Sequence, residues 1–374
     1  MSYNTDIVAS LLLGVCFLAI WFFFFSSNKH SNKKGTISQL PGPETKDLAS
    51  QIAKQGMKGF VEMLHNKYDS DVIQFYLSPE NHVISVRDPK ILNSLLKVGS
   101  RPKFLFQFLE PIIGKDNFQV EDGENAKKAR KMFNQNLTHH SLSANYETLM
   151  QDVNEKLEKF RELSQEKPFV YEMQSEMLDV FLKLGVRTFV GKNVPMEKLV
   201  DLSLYRQSFF NVIALSFQQQ YGKLSDWEIE TFSKSLDYID RATDRLVQYV
   251  REHKSIEDDD RKTLLSVLTF ENDYKTGEPF TKEKVYSHLK GYLMAAYHTI
   301  VVGLSWTLFA LTQHSDVLKK ARKEIDELAL DYPNDSQEKF YPTFKMLDLM
   351  TYTTQVINES LRLFTPGKLF RVFM

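Results

Sequence analysis

The sequence predicts a mainly α-helical protein with a small β-sheet, carried behind an N-terminal transmembrane helix. Three observations carry that class. Residues 7–25, "IVASLLLGVCFLAIWFFFF", form nineteen positions without a charge, long enough to cross a bilayer. Two short alternating stretches, "DVIQFYL" (residues 71–77) and "HVISV" (residues 82–86), read as strands around the turn "SPEN". From Asn125 onward the apolar spacing is helical, broken at "QEKP", "GKNVP" and "YGKLSD", with no internal repeat or low-complexity tract.

The first apolar run has two readings, a retained anchor or a cleaved signal peptide. It is longer than an ordinary signal-peptide core and has no basic segment in front of it, which favours the anchor. Asp6 precedes the run and Lys29, Lys33 and Lys34 follow it, a bias that places the body on the cytoplasmic side. The expected organisation is therefore an anchor over residues 1–28, a polar and proline-rich linker over 29–44, and one domain over 45–374. Within the linker, "LPGP" (Leu40 to Pro43) reads as a stiff hinge. Lys and Arg number 47 against 48 Asp and Glu. That balance, with no basic tract and no zinc-like Cys/His spacing, excludes a nucleic-acid binder. The one cysteine, Cys16, lies in the apolar run, so no internal disulfide forms and the domain suits a reducing compartment.

"DPK" (Asp88 to Lys90) opens a helix with a cap and an early proline. Residues 291–312, "GYLMAAYHTIVVGLSWTLFALT", contain no Asp, Glu, Lys or Arg. A second membrane span is one reading; the other is a buried central helix, which His298, Thr299, Ser305, Trp306 and the small residues suit. "SDVLKKARKEIDEL" follows, an amphipathic scaffold helix with Ser315 or Asp316 as its cap. In "YTTQVINESLRLFTPG" (residues 352–367), Glu359 and Arg362 share one helix face and can pair through a bidentate fork. Such pairs are usually solvated. Here Leu349, Tyr352, Val356, Ile357, Leu361 and Leu363 surround it and Pro366 halts the helix, so burial is expected.

Taken in order, the anchor, the proline-rich hinge, the hairpin, the helix with "AAYHT", the "WTLFALTQHSDVLKKARKEIDEL" continuation and "LDLMTYTTQVINESLRLFTP" resemble the membrane-anchored cytochrome P-450 family, the haem-thiolate monooxygenases. The hinge and the irregular oxygen helix look similar to the orphan animal branch called family twenty. The resemblance implies a cytochrome P-450-like fold with haem as cofactor, a small lipophilic substrate, and a membrane-bound electron donor such as an NADPH-dependent reductase. It also implies a single-pass protein of the endoplasmic reticulum membrane whose catalytic domain faces the cytoplasm.

Carried over residue by residue, the resemblance makes Glu359 and Arg362 the family's E-x-x-R structural clamp, which does no chemistry itself. Thr299 falls on the threonine that delivers protons during oxygen activation, with Ala295 and Ala296 as the small residues beside it. The bland alternative is a threonine bonded to its own helix backbone. His298 stands where the family usually has an acid; it can shuttle protons near neutral pH or sit as a core histidine. Arg130 falls on a propionate-binding arginine, although the aromatic residue expected four positions earlier is Ala126. Arg371 lies near the second such arginine. Lys127, Lys128 and Lys131 read either as a docking surface for an acidic electron donor or as a solvated face. Phe209, Phe210, Ile213 and Phe217 read as cavity lining or as core. The family's thiolate cysteine, expected downstream of the E-x-x-R helix, has no match before Met374. The expectation is a C-terminally truncated member lacking its haem-ligand region. The competing reading is a haem-free, membrane-tethered helical interaction protein or an inactive isoform.

Overall fold

Alternation in the first strand places Ile73 and Phe75 on one face, and both are fully buried. In the computed structural model, which describes residues 40–43, 59–78, 81–98, 108–115, 117–121, 123–166, 172–219, 223–253, 263–331 and 341–364, β1 (Val72–Ser78) and β2 (Asn81–Val86) pair antiparallel. Val72 lies opposite Val86 and Phe75 opposite Val83, with the register shifting between Tyr76 and Ser78. A lone hairpin is marginal in water; here α1 (residues 59–67) lays Phe60 and Leu64 over Ile73 and Phe75. The Phe60 and Phe75 rings meet edge to face at 5.6 Å. Residues 7–25, Cys16, Pro366 and Arg371 lie outside the described residues.

The stretch read as a hinge is held where it is described. Gln74 donates from its backbone to the Pro41 carbonyl at 2.9 Å and from its side-chain amide to the Leu40 carbonyl at 2.6 Å. A Cβ on Gly42 would fall 1.8 Å from the Gln74 carbonyl oxygen, so only glycine fits that crossing. The prolines supply acceptors and need no donor sites, and Leu40 to Pro43 lies docked along β1. As expected from "DPK", Pro89 opens α2 (Pro89–Val98) and Asp88 caps it, accepting from Ile91 N–H at 2.7 Å. The short α3 (Glu110–Ile113) buries Ile112 and Ile113.

The chain divides into two compact units, one comprising residues 1–126, 210–234 and 370–374, the other 127–209 and 235–369. Along the chain the remaining helices are α4 (Gly123–Phe133), α5 (His139–Glu166), α6 (Met173–Phe189), α7 (Met196–Leu199), α8 (Leu202–Gln219), α9 (Asp226–His253), α10 (Leu264–Phe270), α11 (Lys282–Gln313), α12 (Ser315–Asp331), α13 (Phe344–Leu347) and α14 (Thr351–Leu363). The three expected breaks fall between α5 and α6, between α6 and α7, and between α8 and α9.

α11 organises the second unit. Thr281 caps it by accepting from Lys284 N–H, and Leu289, Leu293 and Val301 are fully buried along it. It is long and apolar enough to cross a membrane, yet α6, α10, α12 and α14 all pack on it. Lys290, whose side chain is only 10% exposed, pairs with Asp240 of α9 at 2.7 Å, and Tyr286 bonds Asp244 of the same helix. Those contacts make it the central helix of its unit, while only 28% of its apolar stretch is buried, so the second of the two sequence readings holds in part. It meets α6 at Gly185, where a Cβ would lie 3.3 Å from that of Ala296.

Candidate functional site

The helical run of α11 leaves one stripe uncovered. Ala295, Thr299, Trp306 and Phe309 recur at helical spacing and are exposed, as is the neighbouring Ile300, with Phe309 and Ile300 each 51% accessible. Trp306 stacks on Phe364 beyond α14, the ring centroids 4.7 Å apart. The Thr299 hydroxyl donates to the Ala295 carbonyl at 3.1 Å, so it must release its own helix before it can hand a proton outward. Ala296 faces away from the stripe, toward Gly185; its small size serves helix packing. His298 is half-buried. Burial, and after it the charge of Arg206, hold its pKa below the ordinary histidine value, so it is neutral at pH 7.

α14 is docked beside α11 by polar tethers that its apolar pattern did not reveal. The Thr307 and Ser360 hydroxyls, both buried, are hydrogen-bonded at 3.0 Å. At the other end, Met350 offers no side-chain cap, and Glu324 of α12 supplies one. Its carboxylate accepts from Tyr352 N–H at 2.7 Å, Thr353 N–H at 2.8 Å and the Thr353 hydroxyl at 2.7 Å. Burial alone would raise the Glu324 pKa, but those bonds outweigh it and leave it below the ordinary glutamate value. Its stabilising contribution is then fully present above the unfolded glutamate pKa and is lost as pH falls through the depressed folded value. Glu324→Ala is expected to cost about 1 kcal/mol and to speed hydrogen exchange at Tyr352 and Thr353. Glu324→Gln should remove the acid dependence of that exchange; an unchanged profile would show that the carboxylate is not the cap.

The Glu359 and Arg362 pair forms as expected, with Arg362 Nε donating to Glu359 Oε2 at 2.7 Å and Nη2 to Oε1 at 2.6 Å. Its expected burial does not hold. The two side chains are 55% and 66% exposed. Thr353, Val356 and Ser360 form the covered stripe of α14, continued by Phe364 just past its end, and the charged pair lies off that stripe. Ile357, Leu361 and Leu363, which suggested burial, are themselves exposed. The fork from Arg362 holds the Glu359 pKa down, and Glu359 raises that of Arg362.

Arg130 on α4 is exposed and bonded to nothing among the described residues. It lies within electrostatic reach of Tyr292 of α11, whose hydroxyl donates to Asn134 at 2.9 Å. Lys127, Lys128 and Lys131 are exposed on the same helix. Arg371 and the Phe217 side chain lie outside what is described. Phe209 is fully buried against Tyr205, ring centroids 4.8 Å apart, which makes it core; Phe210 and Ile213 are half-buried. The second unit carries Arg130, His298, Thr299, Glu359 and Arg362, and among the described residues only Glu359 and Arg362 of these are bonded to one another. Sequence reasoning missed Ser360, Thr307 and Glu324. The one signal for Ser360 was a hydroxyl inside "NESLR", one residue past the acid of the pair.

A helical unit built on such a central helix matches a known fold. The structure aligns with the crystal structure of the cytochrome P450DA heme domain at a TM-score of 0.69 and 14% identity, covering 86% of this chain and 69% of that one. A cytochrome P450 family model matches residues 46–373. The chain belongs to the cytochrome P450 family. Among its relatives, human cytochrome P450 4X1 is 20% identical over 305 residues, 77% of this chain and 58% of the relative. The bifunctional cytochrome P450/NADPH–P450 reductase 2 of Bacillus subtilis is 29% identical over 142 residues, 38% of this chain and 12% of that protein. The beta-amyrin 11-oxidase of Glycyrrhiza uralensis is 28% identical over 235 residues, 60% of this chain and 43% of the relative. The chain therefore spans less than two thirds of each of these relatives.

The family implies haem, and the described residues fit that group in part. The exposed apolar stripe of α11 offers a surface for a large planar apolar molecule, and Arg130, which has no partner among the described residues, is a cation that suits a carboxylate. No cysteine lies among the described residues, and the sequence contains only Cys16.

Proposed function

We propose that the protein is a membrane-anchored monooxygenase of the microsomal type, inserting one oxygen atom from dioxygen into a small lipophilic substrate. The observation that carries this is the uncovered stripe of α11, with the Thr299 hydroxyl in its middle and apolar surface on either side. Bound haem would supply oxygen activation. The chain's own residues would cover one haem face with α11, hold a propionate through Arg130, with Arg371 as a second candidate, and move a proton through the Thr299 Oγ1. That transfer requires the bond to the Ala295 carbonyl to open. His298, neutral beside it, can accept or return a proton at an imidazole nitrogen. Glu359 and Arg362 act as a structural clamp.

In this reading residues 1–28 anchor the protein in the endoplasmic reticulum membrane, 29–44 link, and 45–374 belong to the catalytic domain on the cytoplasmic face. Electrons come from a membrane-bound NADPH-dependent reductase, and the basic face of Lys127, Lys128 and Lys131 suits an acidic donor. The "LPGP" stretch and the His298-bearing helix support the animal branch called family twenty. The activity belongs to a chain carrying a thiolate cysteine after α14. Reading the transcript across the Met374 codon tests this: an in-frame glycine-rich loop with a cysteine is expected. A stop codon in an abundant message would overturn the enzymatic reading for this chain and leave a haem-free binding role. In the cysteine-bearing chain, Thr299→Ala is expected to uncouple electron consumption from product formation by about tenfold or more. Unchanged coupling would remove Thr299 from proton delivery.

A further inference from the structure

Two consecutive carbonyls of the proline-rich stretch are gripped by one residue of the hairpin. Gln74 takes the Pro41 carbonyl with its backbone N–H at 2.9 Å and the Leu40 carbonyl with its side-chain amide at 2.6 Å. A glutamine amide has two orientations, and only one of them offers Leu40 a donor. Flipped, it would set its own oxygen against the Leu40 carbonyl, two acceptors facing each other. The backbone bond does not choose between them, because the strand fixes the N–H and leaves the amide free to turn.

His82 makes that choice. Alternation puts Ile73 and Phe75 on the buried face of β1 and Gln74 and Tyr76 on the other, while the register sets His82 opposite Tyr76 and Ile84 opposite Gln74. His82 is therefore the diagonal neighbour of Gln74 on that face, within reach of a long side chain. Its Nε2 lies 2.7 Å from Gln74 Oε1, and its ring stacks on Tyr76 with centroids 4.7 Å apart and planes 19° from parallel. Oε1 can only accept, so the bond requires the proton on Nε2. Burial holds the His82 pKa below the ordinary histidine value, so at pH 7 the ring carries that proton as a neutral tautomer.

We propose that Leu40 to Pro43 is a releasable strap and that His82 is the positioning residue that keeps it fastened, by turning the Gln74 amide toward Leu40. The chain N-terminal to Leu40 then leaves the hairpin from one fixed point. Losing the His82 bond frees the amide to turn away, and the hairpin, covered on its other face by Phe60 and Leu64, stays intact. The inference goes beyond the monooxygenase reading: it concerns the junction of linker and domain and uses no residue of α11 or α14.

Hydrogen exchange on the full chain in mild detergent, read residue by residue, tests it. The Gln74 N–H reports the strap, and the Arg87 N–H, bonded to the Asp71 carbonyl at 2.9 Å, reports the open end of the hairpin. His82→Phe keeps a ring on Tyr76 and removes the donor; it is expected to speed exchange at Gln74 by about three- to tenfold and to leave Arg87 unchanged. His82→Gln, which can return an N–H to Oε1, should restore most of the protection. In Gly42→Ala the new Cβ would fall 1.8 Å from the Gln74 carbonyl oxygen, so the strap is already off and adding His82→Phe should change nothing further. Unchanged exchange at Gln74 in His82→Phe, equal acceleration at Gln74 and Arg87, no recovery with His82→Gln, or additive effects of the Gly42 and His82 substitutions would each overturn the role of His82.

Discussion

Asp152→Ala is expected to destabilise the second unit by about 3–5 kcal/mol, the loss typical of breaking a buried charge network from one side. Asp152 of α5 is 5% exposed and serves two cations of α6. Lys183 Nζ lies 2.8 Å from its Oδ1, and Arg187 grips it through Nε and Nη2, the latter at 3.1 Å. The cations are themselves mostly buried, at 16% and 19% exposure. Removing the carboxylate leaves two positive charges one helical turn apart, with Lys183 retaining Glu197 at 2.7 Å and Arg187 the Lys192 carbonyl among the described residues. Asp152→Asn keeps the shape and an acceptor, so it should fall between wild type and Ala. The urea midpoint of the three proteins at equal m-value measures the effect. A loss under about 1 kcal/mol would mean that the pair behaves as an exposed one.

The network that holds α5 to α6 was not legible in the sequence, and the reason separates what could be read from what could not. The hairpin, the cap at Asp88 and the helix breaks follow from local chemistry: alternation, Asp-Pro, and Gly/Pro clusters. Each was visible within a few residues. Asp152 with Arg187, Glu324 with Tyr352 and Thr353, and Thr307 with Ser360 join positions 35, 28 or 29, and 53 residues apart. No spacing rule on one helix specifies a partner on another. The same limit produced the wrong environment for Glu359 and Arg362: apolar neighbours along a sequence count toward burial only when they share the covered stripe. Ala296, which the resemblance sets beside Thr299, meets Gly185 of α6, a partner 111 residues away that no local pattern names. The "LPGP" stretch read as a hinge because its docking site, Gln74, lies 32 residues beyond Gly42.

Arg362→Ala is expected to leave the thermal midpoint of the helical unit unchanged and to abolish haem retention in the cysteine-bearing chain. The two halves of that expectation follow from separate facts. α14 is held to its neighbours by the Glu324 cap and the buried Thr307 and Ser360 hydroxyls, none of which involves Arg362. An exposed i,i+3 pair adds little to a helix that is already docked. Yet the fork is fully formed, each guanidinium edge atom meeting its own carboxylate oxygen, and it faces away from the covered stripe of α14. A pre-organised ion pair on an outward face is suited to receive another segment, and covering it would strengthen the pair by removing water. Arg362→Lys keeps the charge but loses the fork, so it should also fail to retain haem if geometry is what the receiving segment reads. Circular dichroism melts and haem content per protein measure the two quantities independently. Normal haem content in Arg362→Ala would remove the clamp role. A lowered midpoint with Arg362→Ala, comparable to that of Ser360→Ala, would instead place the pair among the internal tethers of α14.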